Sequence, residues 1–494
     1  MPGSAPAPCH QRCYLLLDQG GHASRALIYD GAGRLLSEGR AVLAARGGDL
    51  CWEYDPKALL RSLREAMHSA LATLGDDAPP VAAAGLATQR ANTACWDRRD
   101  GTPLAPVIAW QDRRATDLFE ALDAGQHRLI REITGLAPSP HYGAGKLRWY
   151  LERVPAVRRA RRDGRLAMGP MAAFLVRRLT REGHSLVDPV NASRTLLWDL
   201  RRRTWSAPLL ALFGIPADVL PGCVPTCHDF GRLQGGEAAP PLRVVTGDQA
   251  AALFARGRPD TETACITLGT GAFVLQPVGP EPVTCQGLLS SIIQAAPSPL
   301  YALEGTVNGA GNALRWFERH TARSIDYEQL DVLLAEDDDA PLFLNGIGGL
   351  GTPFMQPDLP SRFIGGGDHD RRLVALVDSI LFLLQLNLER LSEAASEAGH
   401  PAPRRIEVGG GLARLDHFCR RLAALSGLPV ERCRDHETTA RGLLYQLAEA
   451  CDAPPPQPPP VDHFAVHPRP RLKQRYGRWK RLLYDAVRDG DRKK

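Results

Sequence analysis

Two hydrophobic rhythms alternate along the chain. Residues 14–18 and 25–29 are short apolar runs on either side of Gln19-Gly20-Gly21, a pattern that predicts a hairpin closed by a glycine turn. Strand, glycine turn and strand return about 250 residues later, as residues 264–268, Gly269-Thr270-Gly271 and residues 272–276. Such an internal echo predicts a duplicated domain with a cleft between the copies. Apolar residues at Leu59, Leu60, Leu63, Met67, Leu71 and Leu74 follow the helical period and predict a helix over residues 56–74. Residues 371–391 predict a longer helix, apolar enough to be buried on most sides. Residues 243–253 read as a strand entering a helix, and residues 405–408 as a strand leading into Gly409-Gly410-Gly411. Alternation of this kind predicts an α/β architecture, with a domain border near residues 251–257.

Composition narrows the class. The 494 residues are 44% hydrophobic and 23% charged, enough for two or three domains and a sizeable core. A net charge of +5, from 60 basic and 55 acidic residues, argues against a dedicated nucleic-acid binder. The first dozen residues hold no apolar segment of a secretory signal. The longest apolar stretch, residues 373–386, is interrupted by Asp378 and Ser379 and is too short for a bilayer. Eleven scattered cysteines without an export signal predict reduced thiols and a cytoplasmic location. Cys9/Cys13 and Cys223/Cys227 have no matching second pair, which argues against zinc. Residues 454–460 are almost pure proline and predict an extended spacer. Beyond it a basic tail carries Tyr476, Trp479 and Tyr484, a composition suited to nucleic acid or an acidic membrane. A short helix laid on the body with solvated charges is the favoured reading of that tail.

Chemistry concentrates at strand ends. Asp248 lies where a strand meets a helix, which suits either an N-cap or a general base, with Gln249 beside it to orient a substrate hydroxyl. Three glycine turns, around Gly20-Gly21, Gly269-Thr270-Gly271 and Gly409-Gly410-Gly411, can expose backbone N–H groups to an oxyanion. No Walker A lysine pattern accompanies them. Asp18 beside the first turn suits either Mg2+ held through water or a turn residue bonding its own backbone.

Several stretches, in order, resemble the FGGY carbohydrate kinases: LLLDQGGHASRALIYD, WEYDP, ATQRANTACWDR, IAWQDRR, TGLAPSPHYGAGKLRW, VDPVNASRTLLWDL, TGDQAAALF, LGTGAFVL, ALEGTVNGAG, GGLGTPFMQPD, VGGGLARLDHF and ETTARG. They cover roughly residues 14–450. The resemblance implies two ribonuclease-H-like domains of actin type around a catalytic cleft, and transfer of the γ-phosphoryl of Mg-ATP to a hydroxyl of a polyol or sugar. It divides the chain into residues 1–12, an N-terminal domain over 13–252, a C-terminal domain over 253–452, and a spacer and tail over 453–494. It makes Asp248 the catalytic base, Gln249, Arg90, Trp110, His141 and Phe273 substrate-binding residues, and Asp18 the metal residue. It assigns the nucleotide to Gly20, Gly21, His22, Arg25, Thr270, Gly271, Gly311, Gly410 and Gly411. The partner implied is a small polyol or sugar, with neither membrane nor nucleic acid, and a homodimer is left open.

The departures from the family pattern bear on substrate. Ala91 replaces the glutamate that follows the substrate arginine in glycerol kinases, and His141 replaces their substrate tyrosine, with Tyr142 one place on. A site built to bond a particular hydroxyl discriminates strongly. The changes therefore predict a larger polyol or open-chain sugar rather than glycerol. Gly20-Gly21-His22-Ala23 replaces a hydroxyl-bearing phosphate loop, and Leu415 an asparagine at the base. Two other readings follow: a weakly catalytic sensor that binds sugar and nucleotide, and a glycerol kinase with an altered pocket.

Overall fold

A computed structural model describes residues 12–491 apart from 76, 236–238, 297 and 337–338. Cys9 and the rest of residues 1–11 lie outside the described residues.

The predicted hairpin is β1 (Cys13–Gln19) paired antiparallel with β2 (Ala23–Asp30), and β3 (Leu35–Val42) continues the meander. β4 (Val81–Thr88) runs parallel to β1, and β5 (Leu242–Gly247) parallel to β4, giving the order β5-β4-β1-β2-β3. In the second half, β6 (Thr263–Leu268), β7 (Ala272–Gly279), β8 (Leu289–Gln294), β9 (Leu300–Val307), β10 (Arg405–Gly410), β11 (Val430–Cys433) and β12 (Val461–Phe464) form one sheet. Its order is β8-β9-β7-β6-β10-β11-β12. Five of these strands, β9-β7-β6-β10-β11, repeat the third-second-first-fourth-fifth order of the first sheet. The echo between two glycine turns thus reports a shared topology, two sheets of ribonuclease-H type.

Helices follow from local signals. α1 (Pro56–Ala72) starts at Asp55, whose side chain accepts from the N–H of Lys57 at 3.0 Å, with proline at the first helical position. It packs Leu59, Leu60, Leu63 and Ala66 into the first core. The segment between β4 and β5 includes α2 (Gly143–Arg153), and β5 runs directly into the short α3 (Asp248–Ala252). In the second half, α4 (Gly311–Thr321) follows β9. α5 (His369–Glu397) extends beyond the predicted 371–391, capped by Asp368, and every residue from Leu373 to Leu388 is buried.

Two later elements depart from a simple linear division. α6 (Thr438–Ala450) belongs by sequence to the second half, yet Leu443, Leu444 and Leu447 pack against Tyr14, Leu16, Leu27 and Val244 of the first sheet. Gly85 leaves room for it: a Cβ there would lie 2.9 Å from the Leu443 side chain. The proline stretch does not lead into a free tail either. β12 pairs antiparallel with β11, and α7 (Pro470–Asp491) buries Leu472, Tyr476, Trp479 and Leu483 in the second core. The Trp479 indole donates to the Phe343 carbonyl at 2.8 Å, and Arg475 meets Asp378 of α5 at 2.5 Å. Amphipathic spacing explains this placement, because Leu472, Tyr476, Trp479 and Leu483 fall on one helix face, while Tyr484 stays exposed. No described helix is long and apolar enough to cross a membrane.

Candidate active site

The carboxyl ends of the parallel strands converge. Gln19 of β1 and Gly247 of β5 both pair with Thr88 of β4, and Leu268 of β6 pairs with Gly410 of β10. Crevices at such strand ends are where open α/β sheets bind ligands.

Asp248 is the first residue of α3, and the N-cap is Gly247, which has no side chain to cap with. The cap reading is therefore corrected: Asp248 stands one place inside the helix, and its Oδ1 accepts the neighbouring Gln249 N–H, at 2.7 Å. Burial raises the Asp248 carboxyl above its ordinary value, against the opposing charges of Arg90 and Arg194. Arg90 lies across Gly247, where a Cβ would come within 2.6 Å of its stem, and its guanidinium donates to Gln249 Oε1. Burial and the nearby Arg194 push Arg90 down to about 10. Arg194 in turn forms a buried ion pair with Glu304 of β9, and donates to Ser291 Oγ at 2.6 Å. Neither Arg194 nor Glu304 stood out in the sequence.

The aromatic wall is partly open. Trp110 is 40% exposed, and its N–H donates to Asn92 Oδ1 at 2.6 Å. The His141 ring lies 6.4 Å from that of Trp110, with Nδ1 3.2 Å from the Trp110 carbonyl. Burial lowers the His141 pKa, favouring the neutral ring. A carbonyl partner requires Nδ1–H, so Nε2 is left as an acceptor. Phe273 of β7 is half-buried and packs against a cluster to which the first half contributes Val190 and Ala250.

Lys146 of α2 is fully buried beneath this wall. Its Nζ donates to the carbonyls of Ala91 at 3.0 Å, Ala109 at 2.8 Å and His141 at 2.7 Å, with that of Trp110 at 3.4 Å.

The first glycine turn is pinned from below. Gly20 N–H donates to the Ala23 carbonyl at 3.0 Å, and the Tyr54 hydroxyl lies 3.2 Å from both the Gly21 carbonyl and Gln89 Oε1. A Cβ on Gly21 would lie 2.9 Å from the Gln89 amide. The His22 side chain is exposed, and its carbonyl accepts from Leu43 N–H at 2.9 Å. Arg25 meets Glu437, just before α6, at 2.5 Å. Asp18 shares this corner. Burial and the charge of Asp248 push its carboxyl up to about 7, with Arg25 opposing and Glu437 adding to the rise.

The second and third turns are neighbours. Gly311 N–H donates to Gly269 O at 3.1 Å and Asn312 N–H to Thr270 O at 2.9 Å, docking the start of α4 onto the turn. A Cβ on Gly271 would lie 2.9 Å from the Val307 carbonyl, so that turn also excludes a side chain. Gly410 has φ +100°, and a Cβ there would collide with the Leu268 carbonyl, so the turn requires glycine. Gly411 is open on its Cβ side. A cavity of about 260 Å³ adjoins it, lined by Thr267, Gly409, Gly410, Asp435 and Thr438 among others. Sequence reasoning missed Arg315, one helical turn into α4, whose Nη2 lies 3.3 Å from Thr270 Oγ1 and 2.6 Å from Asn312 Oδ1. Its place three residues after Asn312, on the same helix face, was the available signal.

The donor set suits a hydrated cation. No group of three or more His, Cys, Asp or Glu side chains suited to a metal occurs among the described residues. A divalent ion here would take most of its ligands from water and phosphate, as magnesium does. The mutual repulsion of Asp18 and Asp248 is what such an ion would relieve.

Two sheets of one topology, each with a glycine turn in its first hairpin, are the fold of an actin-type kinase, and the chain is a phosphotransferase with an alcohol acceptor. The chain belongs to the FGGY family of carbohydrate kinases: the family's N-terminal domain model matches residues 13–255 and its C-terminal domain model residues 264–451. The chain is 34% identical over 443 residues to a glycerol kinase of Leptothrix cholodnii, covering 87% of this chain and 89% of that one. A glycerol kinase of Methylibium petroleiphilum is 32% identical over 496 residues, covering 96% and 99%. The fold is similar to that of Plasmodium falciparum glycerol kinase with ADP, at a TM-score of 0.88 and 22% identity over 96% of this chain and 98% of that one. It is also similar to that of gluconate kinase from Lactobacillus acidophilus, at a TM-score of 0.82 and 17% identity over 97% and 98%.

Proposed function

We propose that this kinase phosphorylates a polyol or open-chain sugar larger than glycerol, with Mg-ATP as donor and Asp248 as general base. Residues 13–252 supply the acceptor side and the first phosphate turn, and residues 253–452 the nucleotide side. The observation that carries the reading is the Asp248 carboxylate, which no cap bond occupies and which burial makes more basic, beside the Arg90–Gln249 pair. Asp248 takes the proton of the acceptor hydroxyl as its oxygen bonds to the γ-phosphorus and the bond to the β-phosphate oxygen breaks, releasing ADP. Arg90 and Gln249 hold the acceptor's other hydroxyls, while Trp110 and Phe273 flank its carbon chain. The Gly20 N–H is spent inside the turn on the Ala23 carbonyl, so the backbone N–H groups at Gly21, Thr270 and Gly271 face the phosphates, Arg315 adds a cation, and Gly311, Gly410 and Gly411 border the nucleoside. Asp18 would hold Mg2+ through water, and the ion supplies positive charge to the phosphate oxygens.

The acceptor class rests on Ala91 and His141. Ala91 offers no side-chain polar group, and His141 offers an acceptor, Nε2, where a tyrosine would also donate. A panel of three- to six-carbon polyols and sugars with Mg-ATP tests this, and a kcat/KM highest for a four- to six-carbon acceptor is expected. Turnover unaffected by Asp248→Asn would overturn the assignment of the base. The glycerol kinases among the relatives favour a second reading, glycerol itself as acceptor, which saturable turnover best with glycerol would establish.

A further inference from the structure

We infer that Lys146 is a positioning residue, whose ammonium ties the three acceptor-side loops into one register through their main-chain carbonyls. The carbonyls it meets, at Ala91, Ala109 with Trp110, and His141, come from three separate segments. Each segment carries a side chain of the acceptor site: Arg90, Trp110 and His141. A buried ammonium without a carboxylate partner is costly unless its protons are all taken. Here burial pushes Lys146 down to about 7, and four carbonyl oxygens stand ready for every proton it carries. Asp112 and Arg114 are the charged groups that bear on it; Asp112 is itself bonded to Arg114 at 2.7 Å and accepts the Trp52 N–H at 2.6 Å. A methionine would leave these buried carbonyls without their donor, so packing alone does not account for lysine. Ala91 holds the left-handed backbone, φ +63°, in the segment whose carbonyl takes one proton, and the ammonium spans from there to His141. Asn92, bonded to the Trp110 N–H, joins two of the same segments from the other side.

The consequence for catalysis rests on the acceptor reading above; the clamp itself does not. The test is Lys146→Met, studied by hydrogen exchange and by steady-state kinetics. Amides of residues 91–93, 109–112 and 141–144 are expected to exchange at least about tenfold faster, with those of the glycine turns unchanged. The acceptor KM is expected to rise about tenfold or more, and the nucleotide KM to stay within about twofold. Lys146→Gln, which keeps two donors on a shorter stem, is expected to restore part of both effects, and carries the test if the methionine variant does not fold. Unchanged exchange in the three loops, or an equal rise in both KM values, overturns the inference. If the native enzyme phosphorylates no acceptor on the panel, the acceptor reading falls, and the exchange data alone decide for or against the clamp.

Discussion

Arg194 and Glu304 join the two halves of the molecule through an ion pair whose side chains are only 6% and 1% exposed. Ser291 Oγ, 2.7 Å from Glu304 Oε2, completes the cluster. Breaking one side of a buried pair strands the other charge, so Glu304→Leu is expected to cost about 3–5 kcal/mol in chemical denaturation. Burial alone would raise the Glu304 carboxyl, but Arg194 and Arg90 outweigh it and hold it below the ordinary 4.5. A carboxyl lowered by folding stabilises above its unfolded pKa and loses that contribution as pH falls through the folded one. The difference between the native protein and Glu304→Leu should therefore persist at neutral pH and shrink in acid below 4.5.

Asp18 works in the opposite sense. Its pKa is raised to about 7, so its ionisation opposes folding increasingly as pH climbs from 3.8 towards 7. Asp18→Asn should raise the Tm of the ligand-free protein, little near pH 4 and most at pH 8, while lowering turnover. A Tm gain that does not grow with pH would show that the carboxyl is not held in this environment.

Asp248→Asn keeps the size of the side chain and removes its basicity. Turnover should fall by about 10²–10⁴-fold. Nucleotide affinity, measured by calorimetry, should stay within about twofold, because the proposed base would face the acceptor rather than the nucleotide.

Arg315 stands beside Thr270, where the phosphates of the nucleotide are proposed to lie. Losing a charged hydrogen-bond donor costs about 1.5–3 kcal/mol, so Arg315→Ala should raise the nucleotide KM roughly tenfold or more. The acceptor KM should be unaffected. Equal nucleotide KM values for the two proteins would place the guanidinium outside the phosphate path.

Trp479 reports on the tail. Truncating a buried tryptophan costs about 3–5 kcal/mol, and Trp479→Ala should destabilise the whole second half by that amount in denaturant unfolding. A tail that merely rests on the surface would lose nothing measurable.

Much of this arrangement was legible in the residues. Glycine turns with flanking apolar runs marked the first hairpin of each sheet, because turn chemistry and strand alternation are local properties. The position of Asp248 at a strand end was equally local, although its neighbour Gly247 took the cap. Partnerships across the fold were not legible. Arg194 and Glu304 lie 110 residues apart, and charge pairing at that range is set by the docking of whole sheets. Lys146 carries the residue type that most often signals solvent, and only its convergence with carbonyls from distant loops reveals it as interior. The tail was legible as a helix laid on the body; what its composition did not show was the short strand β12 that follows the prolines and the depth at which Trp479 is buried.

The seat of α6 on the first sheet makes the halves interdependent. A polypeptide ending ahead of Thr438 would leave Tyr14, Leu16, Leu27 and Val244 facing water, so the amino-terminal lobe cannot mature until nearly the whole chain has been synthesised. The same helix, preceded by Glu437 on Arg25, ties the end of the second half to the corner that holds the first glycine turn.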